Sequence, residues 1–118
     1  MEKEYRIKKN QDIELILKEK KSVGNKNYII YKRKSEAFHF RLAMSVSKKI
    51  GNAVVRNRQK RLIKQVFLEE KKNILPYDLF VVARINCTNL EYNEVKREII
   101  YLLKKLNVMK LEERWRII

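Results

Sequence analysis

The sequence predicts an α+β protein, a two-layer α/β sandwich with its elements in the order α-β-β-α-β-α. Three stretches carry this prediction. Residues 38–47 alternate between apolar and polar side chains, residues 52–72 carry apolar side chains at helical spacing, and residues 78–85 (DLFVVARI) are almost continuously apolar. These patterns are typical of a strand with one buried face, an amphipathic helix and an interior strand, in that order.

The first half of the chain is predicted to hold one helix and two strands. Asn10 can cap the helix, which should fade near residues 20–22, and Gly24 marks a turn. Residues 27–33 form the first strand through their aromatic and β-branched side chains. Residues 38–47 form the second strand, and we expect the two strands to pair as an antiparallel hairpin. The apolar side chains of the helix are Ile13, Leu15, Ile16 and Leu17.

The second strand should bury one face and expose the other, because successive side chains of a strand point to opposite sides. The apolar face holds Phe38, Phe40, Leu42, Met44 and Val46. The opposite face holds His39, Arg41, Ala43, Ser45 and Ser47.

The second half is predicted to hold a long helix, an interior strand and a last helix. Gly51 breaks the strand pattern, the long helix runs from about Asn52 to Lys72, and Asn73 and Pro76 end it. Thr88 or Asn89 can cap the last helix. The apolar stripe of that helix is Val95, Ile99, Leu102, Leu103 and Leu106. The tail LEERWRII either docks as a strand or lies loose.

Composition restricts the class of protein. The 118 residues suit one domain, predicted to span residues 1–118, and 45% hydrophobic residues suffice for a core. One cysteine and one histidine exclude an internal disulfide and a clustered metal site. No apolar run is long enough to span a membrane, and the N-terminus lacks the apolar core of a signal peptide. We therefore expect a reduced, cytoplasmic protein.

The charge is strongly positive and clustered. Lys and Arg number 29 against 14 Asp and Glu, a formal net charge of +15. Residues 37–68 contain eight Lys or Arg and no acid, so this one stretch supplies more than half of the net charge. Such an excess predicts a polyanionic partner, with nucleic acid as the first candidate and an anionic membrane surface as the second.

The long helix divides into two faces when its residues are placed 100° apart. The apolar face holds Val55, Gln59, Leu62, Ile63, Val66 and Phe67, and the opposite face holds Asn57, Lys60, Arg61 and Lys64. Arg56 and Arg58 lie at the two boundaries. A merely solvated face usually mixes charges of both signs, whereas here no acid occurs before Glu69. The unmixed face predicts nucleic-acid binding, because Arg grips phosphate bidentately and stacks on unpaired bases.

Several segments together resemble one known family. Residues 45–49 are followed by GNAVVRNR at 51–58 and by KRL at 60–62, and KKNQDI, MSVSKKIG and YDLFVVAR occur in the same order as in that family. This set is similar to the signature of the bacterial ribonuclease P protein component, and the RNR triplet with the following KR pair is its most specific part.

The resemblance implies a division of work between protein and RNA. In the family, the RNA subunit uses Mg²⁺ to hydrolyse the 5′ leader from precursor tRNA, and the protein binds that RNA through the RNR helix. The implied RNA-binding residues are Arg56, Asn57, Arg58, Lys60, Arg61 and Lys64. The protein also holds the single-stranded leader in a cleft, implied here to involve Ile13, Leu17, Tyr31, Ser45, Ser47, Lys48, Lys49 and Arg84. The family fold is the same sandwich with a left-handed βαβ crossover. No catalytic side chain and no protein-bound cofactor are expected.

The sequence departs from the family in the first helix and in the central strand. Two family aromatics that line the cleft correspond to Ile13 and Leu17, and a family glycine corresponds to Ala43. Since stacking on an aromatic is worth ~1–3 kcal/mol per base, the aliphatic side chains predict weaker contact with the leader.

Some candidate residues have ordinary alternatives. Tyr31 is either a cleft aromatic or a core tyrosine with a wet hydroxyl, and Arg84 either pairs with an acid or reaches the cleft. Lys48 and Lys49 either hold leader phosphates or are surface lysines, and the two serines either line the cleft or lie on an ordinary surface. His39 is expected on a solvent-facing strand position and Cys87 in a buried or loop position.

Two other functions fit the charge and size. A structural RNA-binding protein of the ribosomal type shares both, but the ordered set of motifs argues against it. A membrane-surface protein would need an exposed apolar helix face, and the apolar face of the long helix is already required by the sheet.

Overall fold

The computed structural model describes residues 1–110. The tail at 111–118, whose docking was left open, lies outside the described residues. The helices are α1 (Asn10–Lys18), α2 (Ala53–Glu69) and α3 (Tyr92–Lys105), and the strands are β1 (Ser22–Gly24), β2 (Tyr28–Lys34), β3 (Arg41–Val46) and β4 (Tyr77–Ala83). The α+β sandwich is confirmed, and the short strand β1 is added to the predicted order.

The sheet has the order β1-β2-β4-β3. Strands β1 and β2 are antiparallel, β2 and β4 are antiparallel, and β3 and β4 are parallel. The predicted β2–β3 hairpin is therefore wrong, because β4 lies between these two strands. The almost continuously apolar sequence of β4 is typical of an interior strand, and here α2 and α3 cover one of its faces while α1 covers part of the other.

Helices α2 and α3 pack on one face of the sheet, called here the inner face, and bury the main core. From α2 this core takes Ile63, Val66 and Phe67, and from α3 it takes Val95, Ile99, Leu102 and Leu103. Helix α1 packs on the opposite, outer face, where its Ile16 joins a smaller cluster with Ile7, Ala43 and Phe80. The outer face is covered only in part, because α1 is a single short helix.

Strand β3 begins three residues later than predicted. Phe40 and Leu42 are buried on the inner face as expected, but Phe38 lies in the bend before the strand and is fully exposed. On the other face Ala43 is buried rather than open, because α1 covers it. None of the helices described in residues 1–110 is both long and apolar enough to cross a membrane.

Neither predicted cap is confirmed, at α1 or at α3, whereas α2 begins with a side-chain cap that was not predicted from the sequence. The side chain of Asn52 accepts a hydrogen bond from Val55 N at 3.1 Å and caps α2. Asn10 is instead the first residue of α1, and Lys9 precedes it without a side-chain cap. Helix α3 is capped by Glu91, which forms a capping box with Glu94, and neither Thr88 nor Asn89 is its cap. A glutamate can cap because its carboxylate reaches the free amides of the first turn.

Candidate nucleic-acid interface

The strand register divides the outer face into rows of neighbouring side chains. Tyr31, Phe80 and Ala43 form one row, and α1 covers it with Ile13 and Ile16. The next row toward the carboxyl end of β3 is Ile29, Val82 and Ser45. Beyond α1 the outer face of the sheet is therefore accessible at this second row.

A groove with a volume of about 580 Å³ occupies this accessible part. We call it the Arg84 groove. Ile29 and Val82 supply apolar contact surface, while Lys49 and Arg84 supply positive charge. Its lining residues are Lys26, Ile29, Ser47, Lys49, Val82, Ala83, Arg84, Ile85 and Asn86. An apolar surface with cations beside it suits a single-stranded nucleic acid, whose bases contact the apolar surface and whose phosphates contact the cations.

Hydrogen bonds orient two of these side chains. Arg84 Nη1 donates to the carbonyl oxygen of Asn25 at 3.1 Å, and the Arg84 side chain lines the groove and forms no ion pair with a carboxylate of residues 1–110. Ser47 Oγ accepts a bond from Lys49 N at 3.1 Å and caps the turn at residues 48–50. This turn places the Lys49 side chain at the groove.

The predicted cleft residues are spread over the outer face and do not share one pocket. Ser47, Lys49 and Arg84 line the Arg84 groove, and Ser45 is the register neighbour of Val82. Ile13 lines a second groove at the β3 edge. Tyr31 is half-buried beside Phe80, with ring centroids 6.1 Å apart. This position is compatible with both alternatives for Tyr31, a cleft aromatic and a core tyrosine with a solvated hydroxyl. Leu17 is 39% exposed on α1, and Lys48 is exposed beside the Arg84 groove without lining it.

The two faces of α2 are as predicted. Gln59, Ile63, Val66 and Phe67 are buried, while Asn57 and Arg61 are exposed and Lys60 and Lys64 are half-buried. The backbone at Gly51 packs closely against the first turn of α2, since a Cβ at this position would lie only 2.9 Å from Val55 Cβ. A side chain at position 51 would push the start of this helix away.

The two boundary arginines have different surroundings. Arg58 donates to the Leu90 carbonyl oxygen at 3.4 and 3.3 Å and lies 3.7 Å from a Glu91 carboxylate oxygen, so it joins α2 to the start of α3. Arg56 is half-buried, and its Nε is buried without a hydrogen-bond partner among the described residues. Arg58 thus has a structural contact as well as a charge.

Buried Gln59 is explained by its partners. Its side-chain oxygen accepts a bond from Tyr28 Oη at 3.4 Å, and its nitrogen donates to the Cys87 carbonyl oxygen at 3.0 Å. Burial raises the pKa of the Tyr28 hydroxyl and that of the Cys87 thiol, so both groups stay protonated at neutral pH. Cys87 is buried as one of its predicted alternatives stated.

His39 does not occupy the solvent-facing strand position predicted for it. It precedes β3, is half-buried and stacks on Tyr5 with ring centroids 4.0 Å apart. Its Nδ1 lies 2.8 Å from the Phe40 carbonyl oxygen. The prediction failed because the bend before β3 ends the alternation on which it relied.

Sequence reasoning missed several residues of both grooves. Ile29 and Val82 line the Arg84 groove, and their signal was present, since each is two residues from a predicted cleft residue on the same strand face. Lys26 also lines it, and Arg6 and Lys8 line the groove at the β3 edge. For these three cations no periodic signal exists, because turns and the N-terminal segment have no repeating pattern.

Comparison with known proteins gives a consistent result. The family profile described as Ribonuclease P matches residues 1–107. The chain is 50% identical over 105 residues to the ribonuclease P protein component of Macrococcus caseolyticus, covering 88% of this chain and 91% of the relative. It is 46% identical over 112 residues to that of Listeria innocua, covering 93% and 94%.

Solved structures agree in fold. The RNase P protein of Staphylococcus aureus is 40% identical with a TM-score of 0.85, and the match covers 90% of this chain and 98% of that one. The RNase P protein of Thermotoga maritima is 30% identical with a TM-score of 0.78, covering 85% and 96%.

Proposed function

The chain belongs to the bacterial ribonuclease P protein family, and from this premise we propose that it is the protein subunit of a ribonuclease P ribonucleoprotein. It binds the catalytic RNA and the 5′ leader of precursor tRNA, and it assists removal of the leader to give the mature 5′ end. Its cytoplasmic location, predicted from the sequence, is part of the same proposal.

The observation that carries this proposal is the unmixed cationic face of α2. That face presents Asn57 and Arg61 to solvent, with Lys60 and Lys64 beside them, while the opposite face is buried against the sheet. The buried face holds the helix rigid, and like charges along the exposed face repel one another until a polyanion lies on them. A rigid helix with this surface suits the phosphates of a folded RNA.

The Arg84 groove supports the second part of the proposal. It combines Lys49 and Arg84 with aliphatic side chains, and Tyr31 lies one row away on the same face. We assign the cations to leader phosphates and the apolar surface to sugars and bases. The hydroxyls of Ser45 and Ser47 can form further hydrogen bonds with the leader.

Hydrolysis in this proposal belongs to the RNA subunit, which uses Mg²⁺. The contribution of the protein is to hold the RNA and the leader in one geometry. The role of the chain is then to raise the affinity of the holoenzyme for precursor over mature tRNA, because only the precursor carries a leader.

Reconstitution tests the proposal directly. The purified chain is added to its cognate catalytic RNA, and cleavage of precursor tRNA is measured at an Mg²⁺ concentration too low for the RNA alone. We expect cleavage to be restored. Binding of ribosomal RNA fragments in preference to the catalytic RNA, with no gain in cleavage, would instead favour a structural RNA-binding protein.

Arg61→Ala and Arg58→Ala are predicted to differ in stability but not in RNA binding. Each should weaken assembly with the catalytic RNA and lower the slope of log K against log salt by roughly one unit or slightly less. Arg58→Ala should also cost about 0.5–1 kcal/mol of unfolding free energy, because it loses its contacts with Leu90 and Glu91. Salt titrations and thermal melts measure the two effects, and unchanged slopes in both variants would remove the α2 face from the proposal.

Leu17→Phe is predicted to tighten binding of precursor tRNA by up to ~1 kcal/mol, the low end of base stacking on an aromatic. Mature tRNA should not respond, because it has no leader. The control is Leu15→Phe, which makes the same change at a similarly exposed position, 40% against 39%, on the other side of α1. Dissociation constants of the holoenzyme for both tRNAs measure the effect. Equal gains from the two variants would count against a leader contact at Leu17.

A further inference from the structure

The connection between β1 and β2 is held in shape by its own side chains. It consists of Asn25, Lys26 and Asn27, and we call it the β1–β2 turn. Asn25 Oδ1 accepts hydrogen bonds from Asn27 N and Tyr28 N, both at 2.8 Å, and Asn25 N donates to the Tyr28 carbonyl oxygen at 2.8 Å. An asparagine that binds the backbone in this way fixes the course of a turn. The carbonyl groups of the β1–β2 turn therefore have a defined direction.

Glu98 of α3 binds both asparagine side chains of the β1–β2 turn. Its Oε1 accepts a hydrogen bond from Asn25 Nδ2 at 2.9 Å and one from Asn27 Nδ2 at 2.6 Å. Glu98 is half-buried, Asn27 is buried, and no lysine or arginine of residues 1–110 forms an ion pair with Glu98. Hydrogen bonds to an ionised carboxylate are stronger than those between neutral groups. Glu98 therefore attaches the turn firmly to α3.

Arg84 is bonded to the same two residues of the β1–β2 turn. Its Nη1 donates to the Asn25 carbonyl oxygen at 3.1 Å, and its backbone N donates to the Asn27 carbonyl oxygen at 2.8 Å. Arg84 and Lys26 line the Arg84 groove, whereas Glu98 does not. Glu98 is thus one contact removed from the groove, and the turn connects it to the Arg84 guanidinium.

We propose that Glu98 is a positioning residue for leader binding, and that it acts by holding the β1–β2 turn to which Arg84 is bonded. With the turn fixed, the Arg84 guanidinium keeps one position at the groove, and less conformational freedom is lost when a phosphate binds. This inference rests on the proposed function, in which Arg84 contacts a leader phosphate. It adds a residue of α3 that does not itself touch RNA.

The charge of Glu98 separates this role from a simple electrostatic effect. A carboxylate near the groove weakens the attraction between the groove and phosphate, so its removal would by charge alone strengthen binding of precursor tRNA. If Glu98 positions Arg84, its removal weakens that binding instead. The two effects have opposite signs, and one variant distinguishes them.

The test measures dissociation constants of the reconstituted holoenzyme for precursor and mature tRNA. The ratio of the constant for mature tRNA to that for precursor tRNA is called here the leader gain. Glu98→Ala removes the bonds to the turn, while Glu98→Gln keeps a carbonyl oxygen that can accept them and loses the charge. The control is Glu36→Ala, which makes the same change in net charge at an exposed position in the bend between β2 and β3. Thermal melts check folding.

We expect Glu98→Ala to lower the leader gain by roughly 2- to 10-fold, the equivalent of one net hydrogen bond, although it removes a negative charge. Glu36→Ala should leave the leader gain unchanged or slightly raise it, and Glu98→Gln should retain most of it. Binding of mature tRNA should be the same in all three variants. A loss of stability alone would change both tRNAs together, so the leader gain reports on positioning.

A second comparison asks whether Glu98 acts through Arg84. In a chain that already carries Arg84→Ala, Glu98→Ala should cause no further loss of leader gain, because the guanidinium that it positions is gone. If Glu98→Ala does not fold, Glu98→Asp replaces it, since aspartate keeps the charge and withdraws the carboxylate from the turn by one methylene group. We expect the same loss from Glu98→Asp.

Three results would overturn the proposal and leave the proposed function intact. They are a wild-type leader gain in Glu98→Ala, a loss in Glu98→Gln as large as that in Glu98→Ala, and a full additional loss in the Arg84→Ala chain. The last of these would show that Glu98 acts independently of Arg84. A wild-type holoenzyme without any leader gain would instead remove leader binding from the proposed function, and this inference with it.

Discussion

Replacing Lys60, Arg61 and Lys64 together by alanine is expected to leave the protein folded and to abolish most of its salt-sensitive binding to the catalytic RNA. The three side chains lie outside the buried face of α2, and alanine favours a helix. Losing three phosphate contacts should lower the slope of log K against log salt by roughly two to three units. Between 50 and 200 mM salt this corresponds to a change of roughly 15- to 60-fold in the affinity ratio.

The matched control changes the same number of charges on another helix. Arg97, Lys104 and Lys105 are exposed on α3, and their joint replacement by alanine should leave the slope within a few tenths of the wild-type value. Binding at several salt concentrations, with thermal melts for folding, measures both variants. A similar loss in the control would mean that net charge, and not the α2 face, determines RNA binding.

Phe67→Ala is expected to lower the free energy of unfolding by about 3–5 kcal/mol, the usual cost of removing a buried phenylalanine. The Phe67 side chain is fully buried, and its ring centroid lies 5.6 Å from that of Phe40, the residue immediately before β3. Because a small domain is stable by about 5–15 kcal/mol in total, the variant should lose a large fraction of its stability and unfold at a clearly lower urea concentration. Urea unfolding followed by circular dichroism measures the loss.

The adjacent Leu68→Ala serves as the control, since Leu68 is 42% exposed and belongs to the same helix turn. We expect it to cost no more than about 1 kcal/mol. If the two variants lose similar stability, α2 is rotated about its axis relative to the sheet, and the assignment of its cationic face fails with it.

The sequence by itself determined most of the local structure and the character of the α2 face. The spacing of apolar residues from Val55 to Phe67 predicted which side of the helix is buried, because a helix has one period and its faces follow from it. Family membership was predicted from an ordered set of motifs along most of the chain, of which the RNR triplet and the following KR pair in α2 are the most specific, and it is confirmed. The helix face and each motif depend on residues close together in the chain.

Strand pairing was decided only by the tertiary structure. Nothing within β2 or β3 indicates that β4, more than thirty residues beyond β3, lies between them. Alternation predicts which side chains share a face of a strand but not which strand lies beside it. The hairpin prediction failed for this reason. The expectation that Ala43 lies open on the sheet failed because α1 packs over this residue, which the pattern of β3 alone does not indicate.

The two grooves also exist only in the folded chain. The Arg84 groove needs the register that places Ile29 beside Val82, and the second groove, at the β3 edge, needs the bridge between Arg6 and Leu42. Each brings together cations from segments that are far apart in sequence. Periodicity reports the burial of one element at a time, whereas a groove is the space left between elements, so its lining is determined by how they pack.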